Sequence, residues 1–257
     1  MREFSILIPS MDDIDYLKLC LDSLEKNSCN KHEICICCVN NDVRDFLSNC
    51  SYRNIEIKYI YDKSDEVKNN VSKAYNLAFS LSSRYYIVVA DSDHVFSPEW
   101  DKNIFPYLCD NKIVSINRIE NTDYFGNTPT VFNMDLFLKE YKNYISDKTI
   151  ENDCFHPFIL PRYMWENIGG MNEIFIGALH DDDLWHRLYK KFECEFIYHC
   201  QSVVFHFSGR RKPENLLRSN MDIQEKWSLI APETFKSIYG YNWLPVQKLH
   251  LYNPEDL

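Results

Sequence analysis

Tyr85-Tyr86-Ile87-Val88-Val89-Ala90 runs without a break into Asp91-Ser92-Asp93. A short apolar run that ends in polar turn residues reads as a strand buried on both faces, the kind found in parallel sheets. The same rhythm extends toward the amino terminus. Phe4 to Pro9 is an apolar run stopped by proline, and Ile14, Leu17, Leu21 and Leu24 recur at the spacing of a helix with one buried face. Glu33 to Val39 is a second strand with Asn40-Asn41-Asp42 at its carboxyl end, and Ile55 to Tyr61 is a third. Val71, Ala74, Leu77, Ala78 and Leu81 mark the helix before Tyr85. This alternation predicts an α/β fold whose mainly parallel sheet is covered on both faces. Such sheets bind ligands outside the carboxyl ends of their strands, where Ser10, Asn41 and Asp91-Ser92-Asp93 fall.

Past about residue 110 the rhythm loosens. Lys112 to Ile116 and Thr130 to Phe132 read as short strands, and Met134 to Tyr144 as a helix. Arg162 to Ile168 reads as a helix stopped by Gly169-Gly170, and Asp181 to Phe192 as another. Val203 to Phe207 is a last strand, leading into Ser208-Gly209-Arg210-Arg211-Lys212. No repeat or linker divides the chain. The expectation is one Rossmann-like domain over residues 1–212, with halves of about 1–110 and 111–212 and an irregular second half. Residues 213–257 form an extension packed on it, whose Trp227, Tyr239, Tyr241 and Trp243 serve packing or face a ligand.

Composition excludes several classes. The 257 residues are 45% hydrophobic and 26% charged, normal for a globular protein. Lys+Arg 28 against Asp+Glu 38 gives 28 − 38 = −10, so the chain lacks the positive field that coating DNA or RNA requires. Only five residues separate Glu3 from Pro9, too few for a signal-peptide core, and no window approaches the roughly 20 apolar residues of a membrane span. The 10 Cys offer no two Cys-x-x-Cys pairs, as a structural zinc site would want, and Cys35, Cys37 and Cys38 sit in an apolar run as buried thiols would. A cytoplasmic protein without a transmembrane segment is expected.

Four polar motifs can carry chemistry, and each has a structural alternative. Asp91 and Asp93 on one turn offer hard oxygens to Mg²⁺ or Mn²⁺. They equally suit a turn capping a helix near Ser97-Pro98-Glu99. Asp181-Asp182-Asp183 opens a helix, where carboxylates meet unpaired N–H groups, but one or two suffice for that and three repel. His206 within Val203 to Phe207 is a core histidine or a metal ligand. Arg210-Arg211-Lys212 is a solvated loop or a clamp on a diphosphate.

In order, Ile6 to Ser10, Val39 to Asp42, Asn70 to Asn76, Asp91 to Asp93, Ile168 to Glu173, His180 to Arg187 and His206 resemble the GT-A glycosyltransferases, particularly inverting family 2. The helix start also resembles the Glu-Asp-Asp-Asp stretch of the β-1,4-galactosyltransferases. The resemblance covers roughly residues 4–212 and implies a GT-A fold. It implies that a nucleoside-diphosphate sugar, UDP-linked, meets Pro9, Ser10, Asn41, Lys73, Asp91, Ser92, Arg210, Arg211 and Lys212. Asp93 would hold Mn²⁺ or Mg²⁺ in a DXD motif, with His206 as a further ligand and Asp91 acting through water. Asp181 would be the catalytic base, and Trp185, Asp182 and Gly170 would face the acceptor, a glycan or other hydroxyl compound.

Two positions depart from the family. Asn41 stands where many relatives have Asp, and His180 where relatives often have Glu. The implied reaction is a single displacement that inverts the anomeric carbon. The rivals are a degenerate nucleotide-sugar-binding protein and a nucleotidyltransferase. The latter would normally show a Gly-rich, basic loop after the first strand, where this chain has Pro9-Ser10-Met11-Asp12-Asp13.

Overall fold

β1 (Phe4–Ser10) and β2 (His32–Cys38) are buried at every position, because they lie inside the sheet with helices on both faces. The computed structural model describes residues 3–11, 14–120, 124–207 and 218–251, with side chains of the last segment described from Trp227 onward. β3 (Ile55–Tyr61) pairs parallel with β2, and β4 (Tyr86–Val89) parallel with β1. Alternate residues of each strand serve opposite cores. Ile6, Ile8 and Val88 point to α1 (Ile14–Asn27) and α2 (Asn41–Asn49). Leu7, Ile87 and Val89 point to the other face, where α4 (Val71–Ser80) follows the single turn α3 (Asp65–Lys68). Pro9 is tolerated inside the sheet because β1 pairs with β4 only from Phe4 to Leu7, so its missing N–H falls beyond that ladder.

After β4 the sheet changes character. β5 (His94–Phe96), α5 (Trp100–Ile104), β6 (Lys112–Glu120), α6 (Met134–Glu140), β7 (Thr149–Glu151), β8 (Phe158–Pro161), α7 (Arg162–Ile168), α8 (His180–Phe192) and β9 (Glu195–His206) follow in order. The strand order is β3-β2-β1-β4-β8-β6-β9-β5, with β7 on β9. β8 runs antiparallel to β4 and β6, and β9 runs parallel to β6 but antiparallel to β5 and β7. The expected parallel arrangement therefore describes β3-β2-β1-β4, and the sheet as a whole is mixed.

Only four residues, Ala90 to Asp93, join β4 to β5. Fully extended they reach about 17 Å, whereas four flat strand spacings are about 19 Å. The sheet must curl to bring β5 back toward β4. That curl places the Asp91-Ser92-Asp93 turn beside the end of β9.

Thr130 to Phe132 is a turn rather than the expected strand. The amides of Val131 and Phe132 both donate to the Thr128 carbonyl, at 3.1 and 2.9 Å, and Asn133 then caps α6 by accepting from Leu136 N–H. Local turn bonds prevail there, and no strand among the described residues pairs with this stretch. α9 (Arg218–Tyr239) and α10 (Val246–Leu249) complete the described chain. Ala231 and Phe235 of α9 are buried against Phe175, the Tyr239 hydroxyl donates to Asp183, and His186 Nε2 lies 2.7 Å from the Leu244 carbonyl oxygen. All ten cysteines are free, and burial pushes the Cys35 and Cys37 thiols up to about 12. Among the described residues no helix is long and apolar enough to cross a membrane.

The two glycines after α7 do different work. Both have positive φ, +76° at Gly169 and +75° at Gly170. A Cβ at Gly169 would meet nothing within 4 Å, but at Gly170 it would lie 2.4 Å from Asn76 Oδ1 and 2.9 Å from Trp165 Nε1. Gly169→Ala should cost only the left-handed backbone penalty, about 1 kcal/mol. Gly170→Ala adds displacement of the Asn76 amide and the Trp165 ring, and should cost about 2 to 3 kcal/mol. For a chain of this size the second variant should melt roughly 4 to 12 °C below wild type and the first by about half as much or less, measured by calorimetry.

Candidate active site

Asp91 follows the last residues of β4, and its carboxylate is held from two sides. The Tyr75 hydroxyl of α4 donates to Oδ1 at 2.7 Å, and His156 Nδ1 stands 3.5 Å from Oδ2. Burial alone would raise this carboxyl. The His156 charge and the Tyr75 hydroxyl prevail and hold it well below the ordinary carboxylate range. The Asp91 amide donates to His94 Nδ1 at 3.1 Å, which leaves hydrogen on Nε2 of a fully buried ring. Burial, followed by the neighbouring His206, holds His94 well below its ordinary value, so it is neutral.

β5 lies in register with β9, so His94 faces His206 across the ladder and Asp93 lies next to both. His206 Nδ1 is 3.0 Å from Glu120 Oε1, and its Nε2 is 3.6 Å from Asp93 Oδ1. Glu120 can only accept, so Nδ1 carries the hydrogen, and a neutral ring turns its Nε2 lone pair toward Asp93. Two acceptor atoms facing one another at this spacing suit a cation, and a carboxylate behind the histidine is the usual support of a metal ligand. Asp93 and His206 therefore fit a divalent ion. His94 also lies within reach, but its Nδ1 lone pair already serves the Asp91 amide, so it supports the turn instead.

Asp181 stands on the first turn of α8, which the chain enters through Leu179 in the left-handed conformation at φ 57°. A bulky residue held there costs roughly 1 to 3 kcal/mol, the kind of strain that collects at functional sites. His156 Nε2 lies 2.7 Å from Asp181 Oδ1, and His180 Nε2 lies 3.5 Å from Oδ2. One imidazole thus touches the carboxylates of both Asp91 and Asp181, which are 90 residues apart in sequence (181 − 91). Burial opposes ionisation of Asp181, yet His156 and His180 outweigh it and hold the carboxyl below its ordinary value.

These elements coincide with a known family. The family model for glycosyl transferase family 2 matches residues 5–168, well over half of the chain. The chain belongs to glycosyl transferase family 2. Among solved structures it is similar to S. aureus TarS 1-349 in complex with UDP, at 12% identity and a TM-score of 0.56, over 94% of this chain and 72% of that one. The TarS 1-349 complex with UDP-GlcNAc gives 12% identity and a TM-score of 0.55, over 94% of this chain and 74% of that one. At that identity the likeness establishes the shared GT-A fold. No curated protein matches the chain.

The other residues singled out in this family 2 sequence lie in several places. Ser10 ends β1, buried, with no partner for its hydroxyl among the described residues. Pro9 precedes it, and buried Ser92 sits within the Asp91–Asp93 turn. Asn41 opens α2, and its Oδ1 accepts from the Tyr61 hydroxyl. Lys73 is ion-paired with Glu66 in an open cleft of about 360 Å³, which Glu173 and Asn70 line and Asp91, Asp93 and Asp181 do not. Trp185 is 7% exposed, edge-on to Phe158 in the core, so little of its ring is open to an acceptor. Gly170 is pressed against Asn76 and Trp165. Arg210, Arg211 and Lys212 fall outside the described residues.

His156 went unread in the sequence. It lies just before Phe158-Ile159-Leu160, three apolar residues bracketed by Pro157 and Pro161, and that buried strand is the signal the sequence offers.

Asp182 has a different environment from its neighbours. Burial and then the adjacent Asp181 charge push its carboxyl up to about 7, against a bond from Trp243. A carboxyl raised from 3.8 to about 7 on folding stays protonated while its unfolded counterpart ionises, so stability falls as pH climbs between those values. Asp182→Asn abolishes that loss. Its stability advantage over wild type should grow from about pH 4 to about pH 7 and level off above, followed by urea denaturation at each pH. A pH-independent difference would return Asp182 to the ordinary carboxylate range.

Proposed function

We propose that the chain is a metal-dependent inverting glycosyltransferase, moving a hexosyl group from a nucleoside-diphosphate sugar, UDP-linked, to a hydroxyl of a glycan or similar acceptor. The observation that carries this reading is the meeting of Asp91 and Asp181 on His156, beside the Asp93–His206 pair. It joins a donor-side turn to a carboxylate at a helix start, the two groups that glycosyl transfer needs on opposite sides of the anomeric carbon. Family membership supports the transfer, and the UDP and UDP-GlcNAc complexes of TarS support the donor class.

Asp93 and His206 would hold Mn²⁺ or Mg²⁺, which supplies positive charge where the departing diphosphate gathers negative charge. The buried Ser10 hydroxyl and the Asn41 amide stand at strand ends suited to the nucleoside, with Arg210, Arg211 and Lys212 assigned to the diphosphate by family resemblance. Asp181 Oδ2 accepts the proton of the acceptor hydroxyl as that oxygen attacks the anomeric carbon. The sugar bond to the leaving phosphate breaks in the same step, and configuration inverts. Asp182, with half-exposed Trp243 bonded to it, borders the acceptor side.

UDP with Mn²⁺ should raise the melting midpoint by about 5 to 10 °C at a hundredfold excess over Kd, and UDP with chelator should not. Asp93→Asn should remove that metal-dependent shift. Asp181→Asn should keep the shift and lower turnover at least about a hundredfold, the scale of a general base. NMR of the product should show the anomer opposite to the donor's. Full activity in excess chelator would overturn the metal assignment, and retention of configuration would remove Asp181 from this role.

A further inference from the structure

Asp181 has two carboxylate oxygens, and a carboxylate free to turn presents either of them, poorly aimed. His156 removes that freedom. Its Nε2 lies 2.7 Å from Oδ1, hydrogen-bond distance, while Oδ2 is left facing His180 at 3.5 Å. His156 itself has little room to move. It is 7% exposed, its ring stands edge-on to Phe158 at 4.9 Å and tilted against Tyr75 at 6.0 Å. The next carbonyl, that of Pro157, accepts from Ile116 N–H at 3.0 Å, which ties this stretch to β6.

On its other side the ring reaches the donor turn. Nδ1 has no hydrogen-bond partner among the described residues, and it faces Asp91 Oδ2 at 3.5 Å, beyond good hydrogen-bond length. Asp91 is fixed in turn by Tyr75, so Tyr75, Asp91, His156 and Asp181 form one chain of polar contacts from α4 to α8. Proton transfer in the transition state depends on a base held within a fraction of an ångström.

We infer that His156 is a positioning residue: it fixes Asp181 by Oδ1, so that Oδ2 alone receives the acceptor proton, and it sets that carboxylate against the donor-side Asp91. The inference rests on the glycosyltransferase reading above. His156 acts through Asp181 and not by contact with substrate. Its effect therefore belongs in the rate of the chemical step and not in nucleotide binding.

The test uses the full chain with Mn²⁺, binding of UDP, and release of UDP from whichever of UDP-glucose, UDP-galactose or UDP-N-acetylglucosamine the wild type turns over. His156→Phe keeps a ring but loses both nitrogens, and should lower kcat about 30-fold while the Kd of UDP changes less than about threefold. His156→Gln restores an N–H donor and should recover at least about tenfold of that loss. The double variant His156→Phe with Asp181→Asn should be no slower than Asp181→Asn alone, because both act on one step.

Equal impairment by Phe and Gln, or wild-type kcat in His156→Phe, would overturn the inference. So would a loss confined to UDP binding. A readout independent of turnover is the ¹⁵N signal of His156 Nε2, which should shift in Asp181→Ala, and an unchanged signal overturns the contact itself. A wild-type chain that binds no UDP would instead count against glycosyl transfer, while the nitrogen signal still decides whether His156 holds Asp181.

Discussion

Four residues have to carry the chain from β4 to β5, and much of the site follows from that short span. A flat sheet would place those strands farther apart than the link can reach, so the sheet curls and its far edge returns. The link is also the Asp91-Ser92-Asp93 turn. The returning edge is β5 laid against the end of β9, which delivers His206 to Asp93. A topological constraint and the placement of a candidate metal-binding pair are one fact. β8 enters through the same curl, between β4 and β6, and brings His156 to the mouth of β4.

The site gathers Asp91, Asp93, Asp181 and Asp182 into a partly buried space in a chain of net charge −10. Buried carboxylates without partners are costly, and among the described residues it is imidazoles that stand beside them. His156 serves Asp91 and Asp181, His180 stands at Asp181, and His206 at Asp93. Imidazoles are flat and short, and can be packed tightly against Tyr75 and Phe158 as ammonium groups on long stems cannot. Asp182 has no cationic partner among the described residues, and burial beside Asp181 keeps its carboxyl protonated toward neutral pH.

The first half of the fold was legible because its signals are local. β1 to β4 are short apolar runs, and α1 and α4 show one-sided spacing, so these elements were legible near their observed positions, whereas α2 and the single turn α3 were not read as helices. In the second half α7 and α8 were as legible, but β5, β7 and β8, with only three or four residues each, were not. Their identity as strands comes from partners distant in sequence, as when His94 pairs with His206. Thr130 to Phe132 erred in the opposite direction, with strand-like residues claimed by a turn. In the site, Asp91, Asp93, Asp181 and His206 were visible as carboxylates and an imidazole at element ends. His156 was invisible because nothing in Phe155-His156-Pro157 distinguishes a bridging histidine from a packed one; only the crossing of β8 and α8 does. Trp185 showed the limit of residue type: an aromatic beside aspartates can belong to the core.

The aspartate run that opens α8 illustrates how a helix multiplies the uses of a repeated residue. Successive positions point about 100° apart, so three identical side chains meet three surroundings. Asp181 faces His156, Asp182 meets Trp243, and Asp183 is buried with Arg187, Asn172 and Tyr239. Identity of residue type thus conceals a strict division of labour by angle. It also makes this turn more sensitive to changes of length than of composition. One inserted residue before His180 would leave the acidic run intact in the sequence while turning each carboxylate into its neighbour's place. The core would then receive an aspartate without its arginine, and the imidazole would lose the carboxylate it holds.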